Sequence, residues 1–228
     1  MTLNNEHRPL RFAINLGNPV LAISQPDGSP GGITVELAKK IAAASQREMQ
    51  LITYPTAGKV VDDAGQDKWD VAFLAIEPAR EDVLRFTSPY ITIESSLLVR
   101  RDSPFQSVSE RDAEGITINI GKGSAYGLFL QRTIQHATLR EYPTSEEAIH
   151  AFMNGEGDMA ASIRQALARA AQGDDRFRLL PDNMSQIQQA ICVPRCAPGA
   201  FERVNTLLAQ WRTDGTIDDI INQHIGIG

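Results

Sequence analysis

Between Trp69 and Tyr90 the chain reads WDVAFLAIEPAREDVLRFTSPY, and no other segment restricts the fold as much. Val71 to Ile76 is an unbroken apolar run, the pattern of a strand covered on both faces in a parallel sheet with helices on either side. Arg80 follows just beyond the carboxyl end of that strand. In open α/β sheets ligands bind at this end, and a guanidinium grips a carboxylate through two parallel hydrogen bonds. The segment reads as a buried strand, a polar turn carrying one arginine, and an aromatic Ser-Pro-Tyr.

The flanking sequence predicts the rest of a βαβαβ unit. Leu10 to Leu16 reads as the first strand and runs into Gly17-Asn18-Pro19. Ile33 to Ser45 has apolar residues at Val35, Leu37, Ala38, Ile41 and Ala42, an amphipathic helix with Thr34 as its cap. Leu51 to Tyr54 reads as a strand, Lys59 to Gln66 as a short helix and Trp69 to Ile76 as the third strand. Ile91 to Arg100 is an extended β segment, the candidate hinge to a second unit. There Ile116–Ile120 is a strand, Ser124–Gln135 a helix, Leu139–Tyr142 a strand, Thr144–Asn154 a helix and Met159–Ile163 a strand. Gln188–Val193 is the candidate return crossing, and Phe201–Trp211 and Thr216–His224 are closing helices around the C-cap turn Thr213-Asp214-Gly215.

With 228 residues and 42% apolar content the chain has enough material for two small lobes. The net charge of −6 is spread among interspersed acids and bases, so no basic stripe points to nucleic acid or an anionic membrane. No run of about 18 apolar residues reads as a spanning helix. The start, MTLNNEHRPLRFAINLG, lacks a charged region followed by an apolar one, so a secretory leader was either removed or never existed. The four histidines are scattered and suggest no metal site. Cys192 and Cys196 could pair only if a turn brought their Cα atoms to about 4.4–6.8 Å, which an extended strand does not allow.

The Trp69–Tyr90 segment resembles family 3 of the bacterial extracellular solute-binding proteins, the amino-acid receptors of ABC importers. GSPGGITVELAKKIA, RRDSPFQSVSE, GKGSAYGLFL and WRTDGTIDDII are similar to further segments of that family, in the same order and spacing. The resemblance implies an α/β, two-lobed periplasmic-binding-protein-like fold, each lobe a doubly wound mixed sheet flanked by helices, with a hinge between. Residues 1–95 would form the first part of lobe one, 96–190 lobe two, and 191–228 the return to lobe one. It also implies capture of a small carboxylated metabolite in the interlobe cleft by hinge closure, as a monomer, without cofactor or metal. An ABC permease would be the partner and the periplasm the location. A cytoplasmic sensor or scavenger is the alternative, because no leader stands in the chain.

Arg80 matches the family's carboxylate-binding arginine; read without the resemblance, it is an ordinary helix-start arginine beside Glu81 and Asp82. The family's hydroxyl-rich turn is replaced by the shorter Ala75-Ile76-Glu77-Pro78-Ala79, which lacks both threonines; Glu77 stands where one of those hydroxyls is expected, and Ala75 is a further candidate ligand contact. Glu77 would either accept from a ligand ammonium or pin Arg80. Gly121-Lys122-Gly123-Ser124-Ala125 fits neither the dinucleotide nor the P-loop pattern. Its glycines and serine at a helix start leave N–H groups aimed at an anion, and the resemblance assigns this to Gly123, Ser124 and Ala125; the plain alternative is an N-cap. After Asp158 the chain reads MAASIRQ, so Ile163 or Arg164 replaces the family's ammonium-binding aspartate. An Arg164 in the cleft would favour a second negative group, and one facing solvent would not matter. Asn15 and Asn18 take the places of an acid and a stacking aromatic, or are turn asparagines. Tyr90 and Glu94 line the cleft or pack structurally. An enzyme is the remaining alternative, with Glu77 or Glu94 as a general acid of a dehydratase, though no nucleophile–base pair is visible.

Overall fold

The computed structural model describes residues 8–225. The expectation about a leader falls partly on residues 1–7, which lie outside the described range. The described residues form two compact units, one up to residue 91 and again from 189 onward, the other of residues 92–188.

The first unit is built on β1 (Leu10–Asn15), α1 (Ile33–Ala44), β4 (Met49–Tyr54), α2 (Ala57–Asp62) and β5 (Val71–Ala75), with a two-stranded excursion β2 (Ile23–Ser24) and β3 (Pro30–Gly31) before α1. β1 pairs in parallel with β4 on one side, Phe12 opposite Leu51, and with β5 on the other, Phe12 opposite Val71. All five residues of β5 are buried, which explains their unbroken apolar character. After the short α3 (Pro78–Glu81), the strand β6 (Leu84–Arg100) leaves this unit at Ile91, and β11 (Ser185–Pro194) enters it at Gln189. β11 runs antiparallel to β5, Ala190 opposite Leu74 and Cys192 opposite Ala72. The closing helices α7 (Phe201–Thr213) and α8 (Thr216–Ile225) belong to this unit and bury Leu207, Leu208, Trp211, Ile217 and Ile220.

The core of this unit is anchored by Trp69, 2% exposed, whose indole Nε1 donates to the Val60 carbonyl at 3.1 Å. A buried indole keeps its apolar area out of water only when that N–H finds an acceptor, here the backbone of α2. Phe12 stacks on Phe73 with centroids 6.3 Å apart, and Tyr90 meets Phe73 edge-on at 6.5 Å.

The second unit repeats the plan. β7 (Thr117–Gly121) pairs in parallel with β8 (Thr138–Tyr142) and with β9 (Met159–Ile163); β9 then runs antiparallel to the 92–100 stretch of β6, which also takes β10 (Phe177–Leu179). α4 (Ala125–Thr133), α5 (Ser145–Met153) and α6 (Arg164–Ala171) flank this sheet. Thr144 caps α5 by accepting from the Glu147 N–H at 3.1 Å.

Several local expectations are corrected. Gly32, at φ 110°, is the N-cap of α1 rather than Thr34, and a Cβ there would come within 2.7 Å of the Leu21 carbonyl. Thr34 lies inside the helix, buried, with Oγ1 turned to the Leu21 carbonyl. Phe86 to Tyr90 lies in the opening stretch of β6, and α6 was not anticipated because its small-residue pattern carries few apolar anchors beyond Leu167.

Candidate functional site

In the first unit the residues singled out gather at the carboxyl end of β5. Ala75 ends the strand, Glu77 is the N-cap of α3, and Pro78 starts the helix where its missing N–H costs nothing. The Arg80 N–H donates to the Glu77 carbonyl at 2.9 Å, closing the turn. This turns the Arg80 side chain inward: it is 2% exposed, with Nη1 donating to the Ala75 carbonyl at 2.9 Å. Burial pulls the guanidinium pKa down, opposed by the Glu77 carboxylate and by Cys192. An arginine stays charged even so, and an anionic neighbour offsets its desolvation. Glu77 is itself buried at 7% exposure, so an acid and a base share this turn.

The other first-unit residues differ in accessibility. Tyr90 is buried, its hydroxyl meets no hydrogen-bond partner among the described residues, and burial pushes its pKa up, so it stays a phenol. The Tyr90 ring meets Phe73 edge-on. Cys192, fully buried, has its thiol pushed up to about 12 by burial against the opposing pull of Arg80. Both cysteines are free; Cys192 lies in β11 and Cys196 is exposed beyond it. Asn15 Oδ1 accepts from the Gly17 N–H at 2.9 Å and Asn18 Oδ1 from the Val20 N–H at 3.2 Å, the self-bonded turn geometry of asparagine. A polar residue that sequence reasoning passed over stands nearby: Gln189, 5% exposed and paired in register with Ala75. Its signal was an amide at the head of the apolar run Ala190–Val193 of β11.

In the second unit the corresponding feature is the start of α4. Gly123 adopts φ 68°, a left-handed conformation that suits glycine, and delivers Ser124 to the N-cap position. Ser124 Oγ accepts from the Gly127 N–H at 3.1 Å and donates to the Gly121 carbonyl at 2.7 Å. Gly121 packs so closely on the start of α5 that a Cβ would lie 2.7 Å from Ser145 Oγ, and that hydroxyl in turn bonds Tyr126. The first-turn N–H groups of Ala125 and Tyr126 are those that a helix cannot satisfy internally. Such N–H groups and the helix dipole favour an anion.

The Arg164 side chain is hydrogen-bonded to the 180–183 loop. Its Nε donates to Asn183 Oδ1 at 2.9 Å, and Nη2 reaches the carbonyls of Leu180, Pro181 and Asp182 at 3.1, 2.8 and 2.9 Å. The guanidinium thereby fastens the 180–183 loop to the start of α6. Ile163, 5% exposed, occupies the preceding position and brings no charge.

Among the described residues no group of three or more His, Cys, Asp or Glu is placed to hold a metal, and no helix is long and apolar enough to cross a membrane.

Residues 10–227 match the family described as bacterial extracellular solute-binding proteins, family 3. The amino-acid-binding protein AabA of Dichelobacter nodosus is 23% identical over 201 residues, covering 84% of this chain and 78% of that protein. The ABC transporter glutamine-binding protein GlnH of Bacillus subtilis is 22% identical over 220 residues, covering 94% and 80%. Among solved structures, a lysine complex of a putative ABC transporter binding component from Wolinella succinogenes superposes with a TM-score of 0.81 at 22% identity, covering 95% of each chain. A histidine kinase sensor domain similar to periplasmic binding proteins gives 0.83 at 17% identity, covering 98% of each. The fold is that of the type 2 periplasmic binding proteins. With the match running from the first residue of β1 to the end of α8, the chain belongs to family 3 of the bacterial extracellular solute-binding proteins.

Proposed function

We propose that this chain captures a small carboxylated metabolite, an amino acid or a related organic acid, without chemically altering it. Arg80 is the carboxylate anchor in the first unit, and Gly123, Ser124 and Ala125 at the start of α4 are the anion-binding element of the second. The observation that carries the reading is the buried Arg80 guanidinium just past the carboxyl end of β5. Ligands of open α/β sheets bind at strand carboxyl ends, and a desolvated guanidinium attracts a carboxylate far more strongly than an exposed one does. The names of the curated relatives, which include amino-acid-, glutamine- and glutamate-binding proteins, favour the same ligand class.

On this reading ligand contacts made from both units favour a closed arrangement by differential affinity. The protein delivers its ligand to an ABC permease, as a monomer outside the cytoplasmic membrane. A sensory role for the same ligand site is the second reading, favoured by the 98% mutual coverage with the histidine kinase sensor domain. A thermal-shift screen against the common amino acids, di-acids and hydroxy acids tests capture, since a ligand that binds only the folded state raises the melting temperature. A dose-dependent rise for one class supports the reading, and no rise with any carboxylate overturns it. Recovery of the bound acid unchanged after incubation separates binding from a dehydratase activity.

A further inference from the structure

We propose that Gln189 is a ligand-contacting residue that selects for a neutral polar group on the captured acid, a hydroxyl, carbonyl or amide. The inference rests on the carboxylate-capture reading and adds to it a specificity element that the sequence reading did not include.

Four observations converge on this side chain. From Gln189 to Val193, β11 is buried throughout, and Gln189 carries the one side-chain amide of that stretch, able both to donate and to accept. It is 5% exposed, yet among the described residues its amide meets no hydrogen-bond partner, and neither amide atom is among the fully enclosed ones. By contrast the hydroxyl of Thr87, equally buried, donates to the Ser88 carbonyl at 2.9 Å and accepts from the Ile191 N–H at 3.1 Å. Finally, Gln189 stands opposite Ala75, the residue whose carbonyl holds Arg80.

Buried amides are retained when something satisfies them, and a group with no protein partner that remains reachable fits a partner arriving from outside. An amide is neutral and offers both a donor and an acceptor. It matches a hydroxyl, a carbonyl or another amide without the desolvation cost that a second charge would bring to this enclosed place. A site built to hydrogen-bond a substrate group discriminates strongly against the analogue lacking it, because its own polar atoms are then left unsatisfied. Arg80 would hold what all candidate acids share, and Gln189 would read what distinguishes them.

The test is calorimetric binding of full-length wild type, Gln189→Leu and Arg80→Ala to acid pairs that differ in one neutral polar group: L-malate with succinate, 2-oxoglutarate with glutarate, and L-glutamine with L-norvaline. Wild type is expected to prefer the polar member of at least one pair by tenfold or more, and Gln189→Leu to bind both members within threefold of each other. Gln189→Glu, which keeps acceptors and loses the donors, should retain preference for a hydroxyl donor better than for a carbonyl. The ligand-free melting temperature of Gln189→Leu should equal or exceed that of wild type, because leucine fills the same space without an unsatisfied amide. An unchanged preference in Gln189→Leu overturns the inference, as does a melting temperature lowered by several degrees, which would mark a structural role. If no acid binds wild type, the capture reading falls and the inference with it. If Arg80→Ala still binds while Gln189→Leu loses the preference, the anchor assignment falls and the inference stands.

Discussion

Arg80 reaches back over its own turn to place Nη1 2.9 Å from the carbonyl of Ala75, five residues earlier. The bond joins the last residue of β5 to the only turn of α3, so the guanidinium is positioned by the strand end that it is proposed to serve. Preorganisation of this kind lowers the ordering cost of binding. It also sets up the first prediction: Arg80→Ala should weaken binding of the carboxylate identified by thermal shift by about 2–5 kcal/mol, the range for truncating one partner of a buried charged pair. Titration calorimetry checks it, and affinity within twofold of wild type would sink the assignment.

Arg164 should behave as a fastener of the 180–183 loop rather than as a ligand residue. Arg164→Ala removes four hydrogen bonds to Leu180, Pro181, Asp182 and Asn183. A loss of about 1–3 kcal/mol in urea unfolding is expected, because the carbonyls left behind are partly shielded from water. The ratio of affinities for di-acids and mono-acids should not change; a fall in di-acid affinity alone would return Arg164 to the pocket.

Trp69→Phe keeps an aromatic ring but leaves the Val60 carbonyl without its indole donor and opens a small void. Together these should cost about 1–3 kcal/mol. The change in the denaturation midpoint at constant slope measures it, and a neutral outcome would mean that α2 relaxes around the smaller ring.

The two cysteines should differ sharply in reactivity. Cys196 is exposed, while Cys192 is buried with its thiol pushed up to about 12, so almost none is thiolate at pH 8. A chromogenic disulfide reagent is expected to titrate one thiol per native chain and two in guanidinium. Two reactive thiols in the native protein would contradict the enclosure of Cys192.

Asp112 accepts from the backbone N–H groups of Gln135, His136 and Ala137, and the Ala137 and His136 N–H groups hold its carboxyl below the usual carboxylate range. A depressed folded-state pKa adds stability that is fully present above the unfolded value of about 3.8–3.9 and is lost as pH falls through the folded one. Melting temperature should therefore decline below about pH 5 as the carboxylates protonate in the unfolded chain. Asp112→Asn should be less stable at pH 7 and show a shallower decline; an acid limb as steep as that of wild type would refute a contribution from Asp112.

The alternating βα plan and the parallel core were legible in the chain itself. Buried strands such as VAFLA and MAASI carry no alternation, α5 announces its start with Thr144 and a trailing Glu147, and Gly215 closes α7. Such signals are local, because turn chemistry and side-chain period act over a few residues. Arg80, as the one cation just past the buried strand, was also visible in this way. The start of α1 was not. There a glycine at positive φ replaces a side-chain cap, and whether Thr34 caps or packs depends on Leu21, 13 residues away.

What sequence by itself determined is the order of the elements, the family and the residue types available to a ligand. Tertiary structure alone decided what each of those residues is bonded to and packed against. Arg164 and Tyr90 looked equally eligible by position, yet one is consumed by carbonyls 16–18 residues away and the other is packed against Phe73. Gln189 drew no notice in the sequence, yet strand pairing sets it beside Ala75, more than a hundred residues earlier. Hydrogen-bond partners and burial are properties of chain segments brought together from a distance, so they exist only once the sheet has formed.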